Sequence, residues 1–370
     1  MTDPDTLVYQ PKLTGIYYPT HIPEWYIYDC FYADSGELVI IAAAEIKPVP
    51  RIWIINNIDN TAGQEFAVDI CPHKHTYVYR LSQKDSLGFG LIDAGVENQL
   101  INIRIQQENP KKEQIITLRP NRYPSYANQV VMTTLVKLED NIIRVWIDFH
   151  RRLGIHKFVI YDNAGTPESL AGLVRELVDY IHTGQVILIN WPYNYRLPIS
   201  GISGQTTQQN HAIRAFDTAD WLGLFDVDEY INIQRPDIIL GAIGGEGMRR
   251  FLDGIARKTG ISHNKIGGVQ FKNKFFYNPD NLPYDDGRFL QIPNCADGIT
   301  HKGHEKCFVI PRNIRVFAVH IITSGRKLIV VHPKLAYFNH YIYLNKPSRG
   351  RDLTPWRDDS ILTKQAMILR

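Results

Sequence analysis

The sequence predicts two parts, an all-β N-terminal region followed by a larger α/β domain. Short apolar runs recur at roughly ten-residue spacing over the first 105 residues. After residue 126, strand-like and helix-like segments alternate instead. The length of 370 residues fits about two domains of ordinary size.

Six segments of the N-terminal region have the composition of strands. Turn-forming residues such as Asp34-Ser35-Gly36 separate them, and no helical period is evident, so an antiparallel β-sandwich is expected. The predicted strands are 26–28, 38–42, 51–55, 66–70, 76–81 and 100–105. The polar, proline-containing segment 106–125 marks the predicted boundary, so the sandwich and its linker occupy 1–125 and the second domain 126–370.

The second domain predicts parallel βαβ units. Strands are expected at 129–136, 156–161, 186–190 and 221–225, with helices at 140–153, 166–181 and 206–216. The second helix has the clearest start, with Thr166 as N-cap, Pro167 at the first helical position and an acid in the first turn.

Composition excludes several classes of protein. Lys and Arg exceed Asp and Glu by only three charges, too few for a nucleic-acid-binding protein. The apolar run 38–44 is far shorter than the roughly 18–20 residues of a membrane helix, and no signal-peptide pattern is visible. Four cysteines without a Cys-x-x-Cys pair are typical of a reducing compartment, so a cytoplasmic location is expected.

The most informative motif is an apolar strand that ends in three carboxylates. Asp226, Asp228 and Glu229 follow the strand 221–225, at the sheet edge where open α/β sheets bind ligands. If the strand persists, Asp226 and Asp228 share one side, and their oxygens suit Mg²⁺ or Mn²⁺ with a phosphorylated ligand. A solvated strand end or a helix N-cap is the alternative interpretation.

Two other strands bring polar residues to the same edge. Asp162 and Asn163 end the second strand, where a carboxylate can accept hydrogen bonds from a base or sugar. Lys137 and Glu139 end the first strand. Turn formation and helix capping are the alternative roles for these residues.

Together these segments resemble glycosyltransferase family 92 and related GT-A glycosyltransferases of the DUF23-like group. The resemblance runs from about residue 129 to 343 and implies a GT-A fold, a Rossmann-like mixed sheet, behind a β accessory domain. The segments that carry it are 135–139, 146–154, 158–163, 209–211 with Trp221, 225–230, 306–311 with His320, and 340–341.

The resemblance implies a metal-dependent, inverting transfer of a sugar from a nucleotide diphosphate sugar, with UDP favoured, to a glycan, glycoprotein or glycolipid. Mn²⁺ or Mg²⁺ would be held by Asp226 and Asp228, with His340, or else His320, completing the site. The donor-binding residues would be Lys137, Glu139, Asp162, Asn163, Asp226 and Lys306. Asp286 and Glu305 are the candidates for the general base.

Two departures from the family pattern affect these expectations. Members usually have Lys-Asn-Glu where this chain has Lys137-Leu138-Glu139, which leaves the donor open. Eukaryotic members are typically anchored in the Golgi membrane, and no anchor is visible here. A bacterial or viral source is therefore favoured, with the Golgi lumen only for a truncated eukaryotic protein. The arginine-containing tail 343–370 is a candidate for peripheral membrane contact or for an acidic acceptor.

Rival interpretations rest on other residues. His301 and His304, flanked by Cys295 and Cys307, have an irregular zinc-like spacing. A catalytically inactive carbohydrate-binding or scaffold protein is the non-enzyme alternative, with aromatic rings stacking on sugars. Its candidate aromatic residues are Trp25, Tyr26, Tyr28 and Trp53.

Overall fold

A computed structural model describes most of the chain. The described residues are 15–55, 62–71, 76–82, 84–85, 100–108, 110–138, 140–201, 203–234, 246–276, 290, 294–295, 301–341 and 356–357. Glu139 and Asp286, both predicted site residues, lie outside them, as does the tail 343–370 apart from 356–357.

The described elements are mostly strands, with four α-helices. The helices are α1 (Asp140–Arg152), α2 (Pro167–His182), α3 (Ser203–Ala215) and α4 (Gly247–Lys258). The strands are β1 (Ile16–Tyr17), β2 (Ile27–Tyr32), β3 (Leu38–Ala43), β4 (Arg51–Ile55), β5 (Ala62–Glu65), β6 (Ala67–Ile70), β7 (Thr76–Leu81), β8 (Ile101–Gln107), β9 (Lys112–Leu118), β10 (Asn121–Arg122), β11 (Val130–Val136), β12 (Lys157–Asp162), β13 (Val186–Asn190), β14 (Trp221–Leu224), β15 (Glu229–Ile233), β16 (Ile266–Phe276), β17 (Asn294–Cys295), β18 (His301–Val309), β19 (Ile314–Ala318), β20 (Ile321–Gly325), β21 (Lys327–Val330), β22 (Ala336–Tyr341) and β23 (Trp356–Arg357).

The largest sheet has twelve strands and is mixed. Its parallel part has the order β1-β13-β12-β11-β14, and β18 and then β16 continue it in antiparallel fashion. Strand β22 pairs with both β16 and β15. Because the chain order reverses between β11 and β14, the carboxyl ends of these two strands flank the crevice where open α/β sheets bind ligands.

Both faces of the large sheet are covered. Along β12, Phe158 and Ile160 pack with α1 and α2, whereas Val159 and Tyr161 pack with α3. Burial on both faces explains why these strands are nearly continuous apolar runs in the sequence. The predicted βαβ alternation is thereby confirmed.

The N-terminal region forms two sheets. One has the order β10-β2-β3-β7-β6 and the other β5-β4-β8-β9, and one hydrophobic cluster contains buried residues from both. The five-stranded sheet also packs on α3, which therefore lies between it and the large sheet.

A buried polar network joins the five-stranded sheet to α3 and the large sheet. Oδ2 of Asp29 lies 2.6 Å from the hydroxyl of Tyr123 and 2.9 Å from Nε2 of His211, whose Nδ1 lies 2.7 Å from the hydroxyl of Tyr161. Asp29 and His211 are fully buried. Because polar groups this deep require partners, the network fixes how the two regions pack.

The predicted elements agree well with the described ones. The hydroxyl of Thr166 accepts a hydrogen bond of 3.2 Å from the Ser169 amide, which confirms the N-cap of α2. The segment 106–125 contains strands β9 and β10, which its polar composition did not indicate. Strand β9 is largely exposed and pairs through its main chain with β8, so its side chains carry little apolar signal. The domain boundary near residue 125 stays a prediction.

We expect Gly223→Ala to destabilise the protein by about 1–3 kcal/mol, because an added methyl group overpacks the sheet core. A Cβ at Gly223 would lie 2.7 Å from Cε1 of the buried Phe308 and 3.2 Å from Cγ of Met132. The matched control is Gly254→Ala in the interior of α4, where nothing lies within 4 Å and a gain of about 0.5–1 kcal/mol is expected. Urea unfolding measures both. Equal stability of the Gly223→Ala variant and the natural protein would contradict the packing argument.

Candidate active site

The three carboxylates after β14 lie in and next to a tight turn. The amide of Glu229 donates 3.1 Å to the carbonyl of Asp226, while the amide of Asp226 donates 2.9 Å to Oε2 of Glu229. Asp226 and Asp228 are partly exposed, whereas Glu229 is fully buried as the first residue of β15. The turn therefore presents two carboxylates to the crevice and turns the third inward.

A buried lysine contacts two of these carboxylates. Nζ of Lys306, on β18, lies 2.5 Å from Oδ2 of Asp226 and 3.3 Å from Oε2 of Glu229, with only 2% of its side chain exposed. Burial favours the neutral amine, but the two carboxylates outweigh it and raise the pKa of Lys306. Burial likewise works to raise the pKa of Asp226, and Lys306 overcomes it to lower that pKa.

Asp228, Glu229 and His340 form a second group at the same place. In the antiparallel pair of β15 and β22, Glu229 stands directly opposite His340. Nε2 of His340 lies 3.4 Å from Oδ2 of Asp228, and its Nδ1 lies 3.7 Å from Oε1 of Glu229. Burial lowers the pKa of His340, yet Asp228 and Glu229 together raise it to about 9. Burial raises the pKa of Glu229 to about 8, against the lowering effect of Lys306.

This second group fits a divalent cation. One ligand atom from each of Asp228, Glu229 and His340 can be chosen so that all three lie within 4.8 Å of one another. Ligands on opposite sides of an ion bound at about 2.0–2.6 Å are about 4–5 Å apart. Oε1 of Glu229 and Nδ1 of His340 are buried and have no hydrogen-bond partner in the described part of the chain, as expected of atoms available for a cation.

The residues at the end of β12 hold loops together. Oδ1 of the buried Asp162 accepts hydrogen bonds of 3.0 Å from the Ala164 amide and from the hydroxyl of Ser169 at the start of α2. The side-chain amide of Asn163 donates to the carbonyls of Trp191 (2.8 Å) and Tyr193 (2.7 Å). Both residues thus shape the carboxyl edge of the sheet. Lys137 is exposed immediately after β11.

Two further predicted residues lie near Lys306. Nδ1 of His320 is 2.8 Å from the carbonyl of Glu305, and burial together with the charge of Lys306 lowers the pKa of His320 to about 4. Among the described residues, the group of potential metal ligands contains His340 and does not contain His320. Glu305 is partly buried on β18, and Asp286, the other predicted base, lies outside the described residues.

Glu229 and Gln205 had no role predicted from the sequence. Nε2 of Gln205, on α3, donates 2.8 Å to Oδ1 of Asp226, and its Oε1 accepts 3.0 Å from the hydroxyl of Tyr195. Glu229 carried a visible signal as the third carboxylate of the motif. Gln205 carried none, because its role depends on where the N-terminus of α3 meets the turn after β14.

The rival interpretations receive little support from burial. Cys307 is fully buried with its sulfur 3.6 Å from the carbonyl of His320, and His304 is exposed. Within the described ranges, the only group of potential metal ligands is the one with Asp228. Trp25, in the 3₁₀ turn Pro23–Trp25, and Tyr28, on β2, are buried in the core, and Arg51 covers the ring of Trp53. Tyr26 is the one of the four candidate aromatic residues that is exposed.

We expect Leu138→Asn to raise the stability by about 1 kcal/mol, because Leu138 has a φ of 59°, a left-handed conformation that asparagine tolerates better. Its side chain is 66% exposed, so the change removes little packing. Leu138→Ala, which keeps the unfavourable conformation, should change the stability by less than about 0.5 kcal/mol. Thermal unfolding compares the two. A gain of equal size in both variants would show that the backbone conformation is not the cause.

The carboxylate and histidine cluster lies at the switch point of an α/β sheet, which is where proteins of this class bind their ligands. Residues 130–365 match the model of glycosyltransferase family 92. This match covers more than half of the chain, so the chain belongs to glycosyltransferase family 92, as its motifs predicted.

Two curated relatives carry the same family name. A glycosyltransferase family 92 protein from Ricinus communis is 30% identical over 103 residues, which are 28% of this chain and 16% of the relative. Another from Oryza sativa subsp. japonica is 26% identical over 109 residues, which are 29% of this chain and 16% of the relative. The match therefore spans only a small part of the length of these relatives.

No α-helix in the described ranges is both long and apolar enough to cross a membrane. The cellular compartment stays a prediction.

Proposed function

We propose that the protein is a metal-dependent glycosyltransferase that moves a sugar from a nucleotide diphosphate donor to a hydroxyl group of a glycan or glycoconjugate. The observation that carries the proposal is the group formed by Asp228, Glu229 and His340 at the switch point of a family 92 chain. Oxygen and imidazole ligands suit Mn²⁺, or Mg²⁺ if water completes its shell.

The contacts of these residues suggest a different role for each of them. Asp228, Glu229 and His340 would hold the ion, which supplies positive charge against the leaving diphosphate. Lys306 and Gln205 hold the carboxylate of Asp226 in place, so Asp226 would act toward the ion or the donor through water. Asp162 and Asn163 keep the edge of the sheet in shape.

The reaction we propose inverts the anomeric centre. The acceptor oxygen bonds to the anomeric carbon, the bond from that carbon to the diphosphate breaks, and a carboxylate takes the hydroxyl proton. Asp286 and Glu305 remain the candidates for this base. The donor would lie in the crevice between the ends of β11 and β14, and Lys137 directly follows β11. Glu139 remains a candidate for holding the nucleoside.

We further propose that the twelve-stranded sheet and its helices form a GT-A fold. The two N-terminal sheets would be a β-sandwich accessory domain, since they share one hydrophobic core.

Nucleotide titration tests the proposal. Isothermal titration of UDP and of GDP, each with and without Mn²⁺, should show binding of at least one nucleotide that depends on the metal. We expect UDP to bind more tightly. If neither binds with or without Mn²⁺, and a panel of other nucleoside diphosphates also fails, the carbohydrate-binding alternative replaces the transferase.

A further inference from the structure

A basic groove lies on a part of the molecule that the proposed reaction does not use. Its volume is about 800 Å³, within the range of small-molecule sites. It forms where the five-stranded sheet, the end of α3 and the base of the β19–β20 hairpin meet. Five arginines line it, and we call it the arginine groove: Arg80, Arg214, Arg312, Arg315 and Arg326.

Three of these arginines have no ion-pair partner in the described part of the chain. Arg80 is paired with Glu37 (3.2 Å) and Asp69 (2.7 Å), and Arg214 feels the opposing charges of Glu37 and Asp217. The exposed side chains of Arg312, Arg315 and Arg326 form no ion pair with any described residue. Five arginines and two acids, Glu37 and Asp217, line the groove, and Asp69 pairs with Arg80, which leaves two positive charges in excess among these residues.

The wall of the groove is fixed by a buried arginine. Arg214 is only 6% exposed, and its Nη2 donates to the carbonyls of Ile314 and of Arg315, the latter at 2.9 Å. Its Nε is buried and has no hydrogen-bond partner among the described residues. The side-chain amide of Asn313 is likewise anchored, donating to the carbonyls of His263 (3.0 Å) and Ile266 (2.7 Å). The exposed guanidinium groups therefore project from a preorganised frame, which reduces the cost of binding.

We propose that the arginine groove binds the carboxylate or sulfate groups of an acidic oligosaccharide. Guanidinium groups recognise planar or multiply bonded oxyanions through paired hydrogen bonds. Among the described residues, no aromatic side chain lines the groove and Ile314 is the one large apolar lining residue, so this lining suits neither a stacked base nor a lipid chain. That the anions are carried by a sugar chain rests on the proposed transferase function.

The groove lies at a distance from the proposed reaction centre. It is therefore placed to bind a part of the acceptor that is far from the reacting hydroxyl. Helix α3 connects the two places, since Gln205 contacts Asp226 and Arg214 lines the groove. These residues are nine positions apart, or about 14 Å along the helix axis. The β19–β20 hairpin makes the same connection, with Arg315 at its base and His320 at its tip.

Binding of defined acidic sugars tests this proposal. A hyaluronan hexasaccharide supplies carboxylates, a heparin-derived tetrasaccharide supplies sulfates, and maltohexaose is the neutral control. The variant Arg312→Gln/Arg326→Gln removes two groove charges. Arg152→Gln/Arg250→Gln removes two exposed charges elsewhere and is the matched control. Titration calorimetry on the full chain, without nucleotide or metal, keeps the result independent of the donor site.

We expect at least one acidic sugar to bind, with an affinity that falls as salt is added. The groove variant should bind it at least tenfold more weakly, whereas the control variant should change the affinity less than twofold. Failure of both acidic sugars to bind would overturn the proposal, as would equal losses in the two variants. Inorganic phosphate is the last ligand to be titrated. If phosphate binds as tightly as the sugars, the groove is a general anion site, and the proposal that it binds an acidic oligosaccharide is wrong.

Discussion

Asp228→Asn should lower metal-dependent nucleotide affinity and transferase kcat/KM by about 10²–10³-fold. The substitution keeps the size of the side chain but removes the charge of the most accessible ligand in the group with Glu229 and His340. A metal ion stabilises developing charge by several kcal/mol, and each 1.4 kcal/mol is a factor of about ten. Titration of UDP with and without Mn²⁺ gives the affinity, and a sugar-transfer assay gives the rate.

Asp179→Asn is the matched control for this substitution. Asp179 is exposed on α2 and paired with Arg144 at 2.8 Å, far along the chain from the turn after β14. An exposed pair contributes at most about 1 kcal/mol to stability, and nucleotide affinity should not change. Unfolding curves of Asp228→Asn should remain cooperative, which separates loss of a ligand from loss of fold. If Asp228→Asn retains Mn²⁺-dependent binding within twofold, the cation is held elsewhere.

Periodicity was sufficient to predict β11, β12, β13 and β14 because these strands are buried on both faces, whereas the other strands of the large sheet were not predicted. The runs that became β11, β12 and β13 are mostly apolar, and the Thr166-Pro167 start of α2 is a local signal. The pairing of β9 with β8 depends on main-chain hydrogen bonds at an exposed position. Composition therefore placed a linker where the chain forms a strand.

The candidate site could be predicted only in part, because several of its contacts depend on strand pairing. Chain order and strand ends were enough to bring Asp226 and Asp228 to the ligand-binding edge. The role of Lys306 is different, because its approach to Asp226 requires β18 to pair with β14. The partnership of Glu229 with His340 depends on the register of β15 and β22, and no local pattern specifies that register.

Loss of the positive charge of Lys306 should destabilise the protein strongly. Its ammonium group is the cation that contacts both Asp226 and Glu229, and Glu229 is fully buried. Lys306→Met keeps the length of the side chain and leaves Asp226 with the amide of Gln205, and Glu229 with His340, as their remaining described side-chain partners. Removal of one partner of a buried ion pair costs about 3–5 kcal/mol, a large part of the stability of an ordinary domain. The free energy of unfolding in urea measures the loss.

Two comparisons separate charge from packing in this result. Lys157→Met removes an exposed lysine whose Nζ donates 2.7 Å to the carbonyl of Gly184, and it should cost no more than about 1 kcal/mol. The double variant Lys306→Met/Glu229→Gln replaces the buried carboxylate with a neutral amide of the same shape. It should be more stable than Lys306→Met alone, because Glu229, whose pKa is already raised to about 8 beside Lys306, must in the single variant either keep a buried charge or bind a proton, and the amide does neither. If the double variant is less stable than Lys306→Met, the charge of Glu229 is not the cause of the loss. The side chain of Lys306 then stabilises the protein through its packing.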